Sequence, residues 1–249
     1  MLKKALNTIV ERIVMKHPHP FKAALLKRDP SIFVQELGNR SRISWDDFRP
    51  QDGIGGFEDL VTLFTVGKFN RAIARLDLDE AALLFKTVRC IAPSVGVEIG
   101  RASGGSTLLL ALAVGASGKV TSVDLTPSHD EELSEVLART SLRDRVRLIV
   151  GDSRTLELSE QAVDWAFIDG GHDYEVARSD HNRFGRLVRP GGYIIHHDAT
   201  KARPNATGCE QLMRLRDEIL ASQTDVLGHW REAGSLIAFE RTSAPWQPV

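Results

Sequence analysis

The chain reads as an α/β protein: a doubly wound, mostly parallel seven-stranded sheet with an antiparallel C-terminal strand pair and an N-terminal helical extension. Three observations predict this. From residue 94 onward, short apolar runs alternate with stretches of helical hydrophobic spacing, the pattern of parallel βαβ units joined right-handedly. Two of the buried-type strands end in a carboxylate, Asp169 and Asp198. Near the C-terminus two strand-like runs are separated only by Glu232-Ala-Gly, as expected for an antiparallel pair closing one edge.

Residues 1–90 show no strand alternation. Leu2, Leu6, Ile9 and Ile13 fall on one helical face, and Lys3, Lys4, Arg12, Lys16, Lys22, Lys27 and Arg28 make this end basic. Charges interrupt the segment too early for a secretory leader. A helix packed on its own domain, or against a second copy in a homo-oligomer, is expected over a membrane-surface or acidic-partner role. His17-Pro-His-Pro reads as a turn. After a Gly- and Pro-bearing stretch at 48–56, Leu60, Val61 and Phe64, then Phe69, Ile73 and Leu76, recur at helical spacing. Asp79 is positioned to cap a helix carrying Leu83, Leu84 and Val88. The expected division is 1–90 as a helical extension and 91–249 as the ligand-binding domain.

Within the second part, strands are expected at 95–100, 119–125, 146–152, 163–169 and 190–198, with the edge pair at 225–231 and 235–240. Helices are expected at about 104–114, up to about Arg139, and after His172. Trp45 and Trp165 are read as core, and His196 as packed or hydrogen-bonded within its strand. Asp180 and His181 are read as surface residues of the helix after His172.

Composition narrows the function classes. With 32 basic and 33 acidic residues the formal net charge is −1, so no global field favours nucleic acid. Cys90 and Cys209 form no metal spacing and no disulfide framework, which suits a reducing cytoplasm. No apolar run approaches the roughly 18 residues of a membrane span. A cytoplasmic protein acting on a small molecule is the expectation.

In an open α/β sheet the carboxyl ends of the strands face the ligand crevice. Asp169, Asp198 and His172, three residues beyond the first acid, should therefore converge where substrates bind. The turn Glu98-Ile-Gly-Arg-Ala-Ser-Gly-Gly-Ser-Thr lets a backbone approach a ligand and opens a helix whose N–H groups favour an anionic portion. Gly100, Ala102 and Gly105 also fit a dinucleotide fingerprint. Glu98 argues otherwise, because a carboxylate is repelled by pyrophosphate but favoured beside an ammonium and a sulfonium. Asp124 can accept both ribose hydroxyls of either cofactor, and Asp152 the amino group of adenine.

These residues resemble the seven-stranded S-adenosylmethionine (SAM) methyltransferases over roughly 94–200, and more loosely over the C-terminal pair. The resemblance implies that Glu98, Gly100, Ser103 and Gly104 surround the methionine part, Asp124 the ribose, and Asp152 with Ser153 the adenine. Ala102 departs from the pattern, since many members carry glycine there. Within that fold, Ile168-Asp-Gly-Gly-His-Asp-Tyr-Glu resembles the metal-assisted O-methyltransferases of the catechol and macrolide-sugar types. That likeness implies Asp169 at the cofactor and as a ligand of Mg²⁺, His172 as general base, and Asp198 as a further ligand. His197 stands where an oxygen donor is usual, and its nitrogen also suits Mn²⁺, Fe²⁺ or no metal.

The implied activity is SAM-dependent methyl transfer to a hydroxyl of a small molecule or glycan acceptor, with residues 1–90 covering the acceptor or forming a dimer contact. Holding an oxygen in line with the methyl group can supply about 7–11 kcal/mol. A cation lowers the pKa of a bound oxygen, for zinc-bound water from about 15.7 to about 7. An imidazole of ordinary pKa, about 6.5, can take a proton near neutrality. The alternatives are a nicotinamide-linked oxidoreductase and a non-catalytic SAM-binding scaffold. The Asp169–His172–Asp198 set argues against the latter.

Overall fold

The computed structural model describes residues 45, 48, 53–64, 73–201, 208–222 and 230–249. Seven strands form one sheet: β1 (Val95–Ile99), β2 (Lys119–Asp124), β3 (Val146–Val150), β4 (Val163–Ile168), β5 (Val188–His196), β6 (Trp230–Ala233) and β7 (Leu236–Glu240). Their order is β3-β2-β1-β4-β5-β7-β6. The first five pair in parallel, while β7 runs antiparallel to both β5 and β6. The sheet is therefore the doubly wound, mostly parallel one expected from the sequence, with its antiparallel pair at one edge.

Helices cover both faces. On one lie α1 (Leu78–Arg89), α2 (Gly105–Ala113) and a 3₁₀ segment (Phe57–Leu63), whose Leu60, Leu84, Val88 and Leu108 share a core with Trp165 and Phe167. On the other, α4 (Tyr174–Gly185) and α5 (Glu210–Ser222) bring Ala177, Phe184 and Leu215 onto Val97, Ile99 and Ile194. Between β2 and β3 runs α3 (Asp130–Arg139). Val97 and Ile99 thus point to one face and Glu98 to the other, as strand alternation requires. Trp45 and Trp165 are buried. Among the described residues no helix is long and apolar enough to cross a membrane.

Two local expectations need correction. Helix α1 is capped by Asp77, not Asp79, because Glu80 at the third helical position folds back to accept the Asp77 backbone N–H at 2.6 Å. Asp180 and His181 are not surface residues; both are fully buried. Ala177, His181 and Phe184 follow the helical period that faces the sheet, so position overrides polarity. His181 Nδ1 lies 2.9 Å from His196 Nε2, and its ring packs 5.4 Å from that of Trp246. The amphipathic segment at 1–14, the basic residues through Arg28, the His17-Pro-His-Pro turn, Phe69 and the start of the 225–231 run lie outside the described residues.

The tips of β1 and β4 touch directly. Gly100 has φ +87°, and a Cβ there would sit 2.2 Å from the Asp169 carbonyl oxygen. Only glycine accepts both the left-handed backbone and this approach. Gly100→Ala should lower unfolding free energy by about 2–4 kcal/mol, from backbone strain plus overpacking. Urea denaturation reads this as a shifted midpoint, and an unmoved midpoint would refute it.

Candidate active site

The turn after β1 is held by its own side chains. Arg101 is 2% exposed yet bonded at every guanidinium nitrogen: Nε and Nη2 donate to Asp130, and Nη1 to the carbonyls of Ser122 and Ile149. The sequence reading missed this residue, which ties the turn to the tips of β2 and β3 and to α3. Ala102 adopts φ +45°, and its N–H donates to Asp124 Oδ2 at 2.8 Å. The other Asp124 oxygen accepts from the Thr126 N–H at 2.9 Å.

Beside this turn, at the carboxyl ends of the parallel strands, lies a cavity of about 650 Å³. Its wall includes Gly100, Ser103, Asp124, Asp152, Ser153, Asp169, His172, His197 and Asp198. Two expected cofactor residues are not on it. A Cβ on Gly104 would meet Leu133 at 2.6 Å, so this residue turns toward α3, and Gly105 and Ser106 take the wall position. Glu98 is fully buried beneath α2, where Thr107 and Ser122 hydroxyls each donate to Oε2 at 2.6 Å. Burial pushes its carboxyl up, against the hydrogen bonds of Ser106, Ser122 and Thr107. Strand alternation, invisible when the acid is simply taken as a strand end, sends Glu98 under the helix.

The tips of β4 and β5 build the other end. Ile168 pairs in register with His196, and the His197 N–H continues the ladder to the Ile168 carbonyl at 3.1 Å. Asp169 and His197 are therefore neighbours across the sheet. Asp198 then turns at φ +54°, an uncommon backbone for a non-glycine residue. Its Oδ2 lies 2.8 Å from His172 Nε2 and 3.4 Å from His197 Nδ1. His197 Nδ1 also lies 3.0 Å from Asp169 Oδ1, and its Nε2 lies 3.2 Å from Glu80 Oε2.

Both nitrogens of His197 thus face carboxylates. Burial alone would lower its pKa, but the charge and hydrogen bond of Asp169, with those of Asp198 and Glu80, raise it well above the ordinary imidazole value. Asp198 is likewise opposed by burial, yet His197 and His172 hold its carboxyl well below the usual range. Expectation and structure part here: with both nitrogens engaged by carboxylates, His197 directs no lone pair at a metal in this arrangement. The donors that do converge are Asp169, His172 and Asp198, whose ligand atoms all lie within 4.8 Å of one another. Glu80, reaching this cluster from α1, carried no signal in the sequence beyond its place at the start of a helix.

At the opposite end Asp152 forms a close pair with Arg154, whose Nη2 donates at 2.6 Å and brings the carboxyl down to about 2. Leu125, 67% exposed, presents an apolar surface beside Asp124 on the same wall. Behind the wall, a Cβ on Gly170 would come 3.3 Å from Asp180 Oδ2. Burial pushes the Asp180 carboxyl up to about 6 from an ordinary 3.8. The folded protein therefore keeps this proton at pH values where the unfolded chain has released it, and stability falls as pH rises between those two values. Asp180→Asn removes the liability. It should be more stable than the parent above pH 6 by up to about 3 kcal/mol, a gain that vanishes below about pH 4. Chemical denaturation at both ends of the range tests this, and a pH-independent difference would contradict it.

Comparison with known proteins agrees with this architecture. Residues 97–199 match the family model described as a methyltransferase domain. A "Putative O-methyltransferase" of Mycobacterium sp. (strain JLS) is 30% identical over 125 residues, covering 47% of this chain and 54% of that protein. The chain thus spans about half the length of the curated relatives it matches. Among solved structures, the O-methyltransferase TomG from Streptomyces achromogenes, in complex with SAM, is 21% identical with a TM-score of 0.54. That likeness covers 68% of this chain and 82% of TomG. Cofactor-bound Rv0187 from MTB is 18% identical with a TM-score of 0.54, over 90% of this chain and 97% of its own. The chain therefore shares the fold of the solved O-methyltransferase TomG.

Proposed function

We propose that the chain is a SAM-dependent methyltransferase acting on a hydroxyl of a small molecule or glycan, with His172 as general base. One observation carries the reading. A single cavity has the Asp124 carboxylate beside exposed Leu125 at one end and the His172–Asp198 pair at the other. When bound, SAM supplies a sulfonium-borne methyl group open to in-line attack by an oxygen.

The residues fit that cofactor. Asp124 keeps both oxygens fixed by backbone N–H groups and can accept two vicinal hydroxyls, while Leu125 offers a flat apolar surface for a base. Asp152 and Ser153 stand beside that surface for the amino-bearing edge. Gly105 and Ser106 bring the N-terminus of α2 to the wall, where free N–H groups favour a carboxylate.

His172 is suited to the proton transfer. Ionised Asp198 can only accept, so His172 Nε2 carries the hydrogen and Nδ1 keeps its lone pair. The side chain is 52% exposed and lines the cavity, within reach of an entering hydroxyl. The acceptor's proton passes to Nδ1 as its oxygen takes the methyl group, and Asp198 stabilises the imidazolium so formed.

The converging donor atoms favour a second reading of the same cluster. Asp169, Asp198 and His172 are spaced to hold a divalent cation, which would lower the pKa of a bound hydroxyl and occupy the His172 nitrogen.

His172→Ala should reduce kcat by about 10²–10⁴-fold while S-adenosylhomocysteine still binds in a calorimeter. Unchanged turnover would exclude His172 as the base. Under the base reading EDTA leaves turnover intact; loss that Mg²⁺ or Mn²⁺ restores establishes the cation reading instead. Tight binding of NAD with none of S-adenosylhomocysteine would overturn both and return the oxidoreductase alternative.

A further inference from the structure

Glu80 lies outside the span that matches the methyltransferase domain, yet it is among the most constrained side chains of the described residues. It is 3% exposed and 117 residues from its histidine partner. Oε1 accepts from the Ser235 N–H at 2.6 Å and from its hydroxyl at 2.9 Å. Oε2 accepts from the Asp77 N–H at 2.6 Å and meets His197 Nε2 at 3.2 Å. The β6–β7 turn closes over it: a Cβ on Gly234 would sit 2.2 Å from Oε1. Burial would lift this carboxyl, but His197, Ser235 and Asp77 outweigh it and hold it below its ordinary value. Burying a carboxylate is costly unless its lone pairs are satisfied, and here all of them are directed at fixed partners.

One of those partners is His197. With Nε2 held by Glu80 at 3.2 Å and Ser235 Oγ, itself bonded to Glu80, at 3.3 Å, the ring can rotate only by breaking those contacts, and Nδ1 is left facing Asp169 Oδ1 at 3.0 Å and Asp198 Oδ2 at 3.4 Å. The same Asp198 oxygen meets His172 at 2.8 Å. We propose that Glu80, supplied by the first described α-helix, is a positioning residue that locks the His197 ring and through it sets the Asp169 and Asp198 carboxylates against His172. The proposal rests on the hydroxyl-methylation reading for its effect on turnover. Its structural content, the locked ring, does not.

The test uses full-length Glu80→Gln and Glu80→Ala. Methyl transfer from radiolabelled SAM is measured against a panel of phenols and glycosides, and the best acceptor of the parent protein serves as the probe. Glu80→Ala should lose about 10–100-fold in kcat and Glu80→Gln less, since its amide oxygen can still accept from His197 Nε2 and the Asp77 N–H while its NH2 donates to Ser235 Oγ. The dissociation constant for S-adenosylhomocysteine should stay within about twofold in both. A merely structural role would weaken cofactor binding and turnover together. In the ligand-free protein, hydrogen-bonded ring N–H signals of His197, assigned by loss in His197→Gln, should be protected from exchange in the parent and lose protection in Glu80→Ala. If Glu80→Ala does not fold, Glu80→Gln decides by the same readouts. Parent-like kcat together with parent-like His197 signals in the variant overturns the proposal. If the parent methylates nothing in the panel, the hydroxyl reading fails separately, and the His197 signals still decide whether Glu80 locks the ring.

Discussion

A single buried imidazole holds the working end of this molecule together. Glu80, Asp169 and Asp198 approach one another from α1, β4 and β5, and three carboxylates with so little water would repel and pay a large desolvation cost if left alone. His197, 4% exposed, lies among them with each ring nitrogen facing an acid. Its position follows from the pairing of Ile168 with His196, so the sheet itself puts the counter-charge between the acids. Asp198 can then remain ionised and present an oxygen to His172.

This arrangement joins parts of the chain that would otherwise look separable. The 3₁₀ segment and α1 share a core with α2 and the sheet, and the Glu80 contacts extend that union to the polar cluster. The antiparallel edge also participates, since Ser235 in the β6–β7 turn donates twice to Glu80 and receives the backbone N–H groups of Ala199 and Thr200. Of the three described non-glycine residues with positive φ, Ser141 follows α3 and the other two lie at the cavity. Ala102 and Asp198, both non-glycine residues with positive φ, flank the two ends of the cavity, and each is fixed by hydrogen bonds on its neighbours. Such backbone is retained where surrounding contacts over-determine it.

Legibility in the sequence divides along physical lines. The βαβ rhythm was readable because apolar strands and helix-spaced stretches have different periods, and the Glu232-Ala-Gly turn betrayed the antiparallel edge. The convergence of Asp169, His172 and Asp198 was readable because strand ends in such a sheet share a crevice. What failed depended on direction and distance. Glu98 was read as a cofactor contact, but strand parity buries it under α2. His197 was read as a ligand, yet its second nitrogen is taken by Glu80, a partner too remote in sequence to infer. Nothing about Arg101 in its turn signals the bonds it makes, and His181 follows the inward spacing of Ala177 and Phe184 despite its polarity.

The central claim is that one cavity aligns a sulfonium cofactor between Asp124 and His172. A crystal structure of the full chain with S-adenosylhomocysteine tests it most directly. The ribose hydroxyls should lie within hydrogen-bond distance of Asp124, the base against Leu125, and the sulfur should open toward His172 across a space an acceptor can fill. A ligand whose ribose avoids Asp124, or whose sulfur faces away from His172, would contradict the account.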